Sequence, residues 1–129
     1  MFGWVMAVAT ATGLLAIGVG ALVAPRMAAG QYGIVLDDPR ALAFIRAMGV
    51  RDVMLGIVLG IVVRAGDPVA VGWAMMSAAL VAAVDYVLVS MDAPVAPGSA
   101  ANARRRARVL HGGSAVALLT ATVLLFAGR

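Results

Sequence analysis

The chain has 129 residues, 64% of them hydrophobic and only 12% charged, with a mean hydropathy of +1.03 and a formal net charge of +4. A water-soluble domain carries about 45–50% apolar and about 25% charged residues, and one this short cannot hide so much apolar surface in a single core. A soluble globular domain is therefore excluded, and lipid is the solvent that accepts this composition.

A bilayer core needs ~20 apolar residues in helical form. Residues 4–24 supply the first span without a charge. Pro25-Arg26 closes it, because Pro cannot continue the helix and Arg belongs at the interface. A cleaved leader would carry a basic segment before a shorter apolar run. No Lys or Arg precedes this one, so it reads as a retained span.

Residues 26–40 read as a polar connection, with Gly30, Gly33 and Asp37-Asp38-Pro39-Arg40 as turn and cap signals. Asp38 suits the N-cap and Pro39 the first helical position. The second span is expected over 41–63, strongly apolar only in its second half. Gly66-Asp67-Pro68 is a very short turn with Asp67 as the cap, which predicts an antiparallel hairpin with the third span, 69–91. Trp73 suits the starting interface of that span, and Asp85 is its single charge. Residues 92–108 read as a Pro/Gly/Ser/Ala linker ending in a basic run, and 109–127 as the fourth span, with His111 its one ionisable group. The predicted fold is all-α: one domain over 1–129, a four-helix transmembrane bundle in up-down-up-down order.

With four spans, Arg26, Arg40, Arg104, Arg105, Arg106 and Arg108 share one side, joined by Arg46 and Arg51 at the adjoining end of the second span. The other side holds Arg64 and Arg129. The positive-inside rule makes the first side cytoplasmic, puts both termini on the non-cytoplasmic side and places the chain in the cell membrane as a multi-pass protein. The run at 104–108 serves orientation and meets anionic headgroups rather than nucleic acid, since it lies between two spans.

Small residues spaced three or four apart let helices approach closely in lipid. Gly13, Ala16, Gly20 and Ala24 form such a stripe on the first span; Gly49, Gly56 and Gly60 on the second; Ala74, Ala78 and Ala82 on the third, leading to Asp85. Such faces serve contacts within the chain or between copies in a homo-oligomer.

Asp85 lies six residues before the end of its span, ~9 Å along the helix. Asp52, Arg51 and Arg46 lie in the cytoplasmic half of the second span, and His111 about one turn into the fourth. Three spans thus bring ionisable groups to one leaflet. An unpaired charge near the bilayer centre costs ~2.5–3.5 kcal/mol, so such residues pair or line a wet cavity. Asp52 shares a face with Gly49 and Gly56, and either Arg46 or Arg51 is placed to pair with either acid or to bind a substrate.

Two plainer alternatives stand beside a catalytic site. Asp–Arg pairs could staple the helices, or residues 39–48 could form an interfacial helix with the span starting only at Gly49. As a catalytic set, Asp52, Asp85 and His111 offer a carboxylic acid facing a carboxylate or imidazole base. That constellation suits isomerisation or cyclisation of a lipophilic small molecule. With no Cys and one His, neither a metal nor a cofactor is expected.

Asp37-Asp38-Pro39-Arg40, the stretch FIRAMGVRDVMLG at 44–56, Asp85 and His111-Gly112-Gly113 together resemble a bacterial family of small four-span membrane proteins known as domain of unknown function 4267. The resemblance covers nearly the whole chain, and its most specific part is the Arg-xx-Gly-x-Arg-Asp pattern of Arg46, Gly49, Arg51 and Asp52. It implies a four-helix membrane fold with a shared polar cluster, and no activity.

Two functions stay open: an accessory or interaction subunit held together by its polar residues, and a membrane-embedded acid–base isomerase or cyclase. A proton-coupled transporter fits less well, because four-span exporters of this size place an acid in the first span and this one has none.

Overall fold

A computed structural model describes residues 1–31, 39–91 and 99–127. Among the described residues, five helices form where the sequence predicts four: α1 (Phe2–Val23), α2 (Pro25–Gln31), α3 (Pro39–Ala65), α4 (Pro68–Met91) and α5 (Ser99–Ala127). The spacings of Gly33, Asp37 and Asp38 lie outside the described residues.

Two differences from expectation have local causes. Pro25 stops α1, with Ala24 turning out of helical geometry (φ −128°, ψ 61°), but it then serves as the first residue of α2. Its missing N–H costs nothing there, because the first helical N–H groups have no intrahelical partner. The helix that carries the fourth predicted span starts before it, at Ser99, because Ala and Arg, which dominate 99–108, are among the strongest helix formers.

α3 is one continuous helix of 27 residues from Pro39, ~40 Å long. Residues 39–48 thus belong to the same helix as the apolar stretch after Gly49. α3 ends at Gly66, whose φ of +79° is the left-handed conformation glycine tolerates best. Asp67 caps α4 as expected: its Oδ1 accepts from the Val69 N–H at 2.9 Å, with Pro68 at the first helical position.

α1 packs along α3, and α4 along α5; sparser α1–α5 and α3–α4 contacts close a ring in the order α1, α3, α4, α5. The short turn does join α3 to α4 as a hairpin, yet each of the two packs more closely on another helix. Ala11 and Leu15 meet Gly56 while Gly18 meets Gly49, so α1 and α3 run antiparallel. Phe126 against Gly72 and Tyr86 against Gly112 give the same relation for α4 and α5.

The packing face of α1 is Gly3, Ala7, Ala11, Gly18 and Ala21, not the predicted stripe. A Cβ on Gly13 or Gly20 would meet nothing within 4 Å, and the same holds for Gly60 on α3. Small residues occur on every face of α1, so only the shape of α3 decides which row is used.

The interior mixes small side chains, with Ala7, Ala79 and Ala121 almost fully buried, with Leu59, Val71, Met75, Leu118 and Leu125, while Val5, Ile17, Leu80, Val116 and Val123 point outward. Thr10, Thr12, Thr120 and Thr122 donate to carbonyls four residues back in their own helices, which satisfies hydroxyls without water. α1, α4 (Pro68–Leu88) and α5 (Arg108–Ala127) are long and apolar enough to cross a membrane. α3 is long enough but carries Arg40, Arg46, Arg51, Asp52 and Arg64.

Candidate functional site

α3 presents Arg51 and Asp52 about level with Gly18 of α1, since Gly18 packs on both Gly49 and Val53. That level is five residues from the end of α1, ~8 Å along its axis. α4 presents Asp85 six residues before Met91, and α5 presents His111 beside Gly112, which faces the Tyr86 ring. Antiparallel packing thus brings three helices' ionisable groups to one end of the bundle.

Arg51 holds the two acids together. Its Nε and Nη2 both donate to Asp52 Oδ1 at 3.1 Å, and the same Nη2 donates to Asp85 Oδ2 at 3.4 Å. The two carboxylate oxygens are therefore no farther apart than the sum of those contacts. The side chains of Asp52 and Asp85 are 13% and 21% exposed, against 41% for Arg51, so the acids sit inward and the guanidinium reaches them from the rim. The guanidinium spans the sparsely packed α3–α4 gap because its stem is long and its planar fork can serve two acceptors at once.

His111 is half-buried and within electrostatic range of the Asp52 carboxylate. α5 and α3 lie diagonally across the ring, so this interaction passes through its interior. α2 packs against α3 and α5 at the same end, with Ala29 fully buried, and so covers part of this opening.

Arg46 is not brought into the cluster. It is exposed and makes no ion pair among the described residues. Five residues separate it from Arg51, and at 100° per residue that step turns it well away from the α4 side. Tyr86 and Ser90 were missed by sequence reasoning. The Tyr86 ring faces the α5 backbone at Gly112, and Ser90 Oγ, one turn on, is buried without a hydrogen-bond partner among the described residues. No pattern in the sequence marked either one. Among the described residues, no group of three His, Asp or Glu side chains is gathered closely enough to hold a metal ion.

Helices apolar enough for a bilayer, packed on small residues and tied at one end by an arginine shared between two acids, define a small helical membrane protein with one polar cluster. The chain belongs to the family described as Domain of unknown function (DUF4267), whose model matches residues 11–125. That match takes in every member of the cluster. No curated protein and no solved structure matches the chain.

Proposed function

We propose that the chain is a four-span protein of the cell membrane, acting as a non-catalytic accessory or interaction subunit whose Arg51–Asp52–Asp85 cluster clamps the bundle. The spans are α1, α3, α4 and α5, in up-down-up-down order with both termini on the non-cytoplasmic side. α3 counts as a span despite its charges because it lies backbone to backbone on α1 at Gly18–Gly49 and again at Gly56. A helix docked so closely along a membrane span shares its layer. Arg26, Arg40, Arg46, Arg105 and Arg108 gather at the clamped end, which the positive-inside rule makes cytoplasmic.

The observation that carries the clamp is the single Arg51 Nη2 shared by Asp52 and Asp85. The bridge joins the α1–α3 pair to the α4–α5 pair where their packing is sparse. An interaction role draws support from the outward Gly13, Ala16 and Gly20 of α1, which leave room for a partner helix or a second copy.

A second reading, an acid–base isomerase or cyclase acting on a lipophilic substrate, is favoured by one observation: α5 carries the half-buried His111 at the same end of the bundle as the two acids. Asp85→Asn separates the two. The clamp predicts a lowered thermal stability in detergent. Normal yield and unchanged thermal stability would sink the clamp, and catalysis would then require that the same variant abolish a pathway product.

A further inference from the structure

The N-terminal part of α5 crosses from polar to apolar within two turns. Asn102, Arg105, Val109 and Leu110 line an open groove of about 680 Å³ on its surface. Their spacing of three, four and one residues keeps them on one side of the helix. From Asn102 to Val109 is seven residues, ~10 Å of rise. The apolar stretch of α5 begins at Arg108, so Arg105 stands about one turn above the hydrocarbon boundary and Val109 and Leu110 lie just below it. Those two side chains are 67% and 64% exposed. Arg105 is exposed and makes no ion pair among the described residues.

We infer that this groove binds one anionic phospholipid. The phosphate lies against the Arg105 guanidinium, Asn102 donates to the outer headgroup, and the acyl chains cover Val109 and Leu110. Charge complementarity selects the occupant: among the described residues the rim offers a cation and an amide but no carboxylate, and the floor offers only hydrocarbon. A zwitterionic lipid would bring its own cation toward Arg105 and lose that advantage. A free phosphate would leave the apolar floor uncovered. The inference uses the membrane placement of α5 and does not depend on the clamp.

The test uses the full chain in detergent, with native mass spectrometry and thermal unfolding in the presence of phosphatidylglycerol, phosphatidylcholine or inorganic phosphate. The wild type should retain one phosphatidylglycerol in preference to phosphatidylcholine and unfold at a higher temperature with it. Arg105→Gln should weaken that binding about fivefold, the loss expected for one basic side chain at a membrane surface. Arg46→Gln, at the same end but away from the groove, should not. Asn102→Ala, a milder change, should weaken binding in the same direction and serves if Arg105→Gln lowers yield. Equal retention of phosphatidylcholine, equal effects of the Arg105 and Arg46 variants, or equal stabilisation by inorganic phosphate would each overturn the site. None of these variants touches Arg51, Asp52 or Asp85, so failure here leaves the clamp standing.

Discussion

Gly18 of α1 and Gly49 of α3 meet backbone to backbone: a Cβ on Gly18 would lie 2.6 Å from the Gly49 carbonyl oxygen, and a Cβ on Gly49 would lie 2.8 Å from that of Gly18. Neither distance is one a real Cβ tolerates, and backbone cannot swing aside as a side chain can. Gly18→Ala should therefore push the two helices apart and cost about 1–3 kcal/mol. Gly13→Ala and Gly20→Ala, where the space is open, should be neutral or stabilise by up to about 1 kcal/mol through helix propensity. Thermal unfolding of the three variants in one detergent checks the ranking, and equal effects at Gly13 and Gly18 would contradict it.

The shared guanidinium predicts an order of severity. Arg51→Ala strands two inward-facing carboxylates and should cost about 2 kcal/mol, less than a fully buried pair because Arg51 is part-exposed. Asp85→Ala leaves Arg51 with Asp52 and should cost about 1 kcal/mol or less. A double variant should lose less than the sum of the two, since the contacts are common to both. Strict additivity would argue against a network.

The chain has no cysteine, so single cysteines report position without background. Arg64→Cys and Arg105→Cys should react with a membrane-impermeant thiol reagent from opposite sides of intact cells or oriented vesicles, with residue 105 on the cytoplasmic side. Labelling from the same side would remove α4, the helix between the two positions, from the list of spans.

Gly66 closes α3 with a φ of +79°. Gly66→Ala should destabilise by about 1 kcal/mol, the steric cost of that conformation for a residue with a Cβ. Asp67→Ala, which removes the bond to the Val69 N–H, should cost a similar amount. Thermal unfolding of both variants tests this. A Gly66→Ala protein as stable as wild type would mean that the turn can relax.

Much of this architecture is written in local chemistry. The Gly66-Asp67-Pro68 turn, Pro39 as a helix start and the Asp52–Asp85 meeting at one end all follow from turn residues and helical rise. Three features depend on tertiary partners and were not readable. The row Ala7, Ala11, Gly18 and Ala21 and the row Gly13, Ala16 and Gly20 look alike until α3 selects between them. Arg46 and Arg51 both fall in the same half of α3, and which of them reaches the acids is set by how α3 is rotated toward α4. α2 was hidden because Pro25 marks the end of one helix and the start of another with the same residue.

Alanines and glycines fill the close helix contacts, and outside a short core of Leu59, Val71, Met75, Leu118 and Leu125 many of the bulky apolar side chains turn outward, which shifts the usual map of tolerance to mutation. In a water-soluble protein the bulky apolar positions are the sensitive ones. Here the outward bulky positions should exchange freely among apolar types, since lipid has no fixed shape to violate. The smallest residues, which look least informative in the sequence, are where saturation mutagenesis should find the fewest accepted replacements.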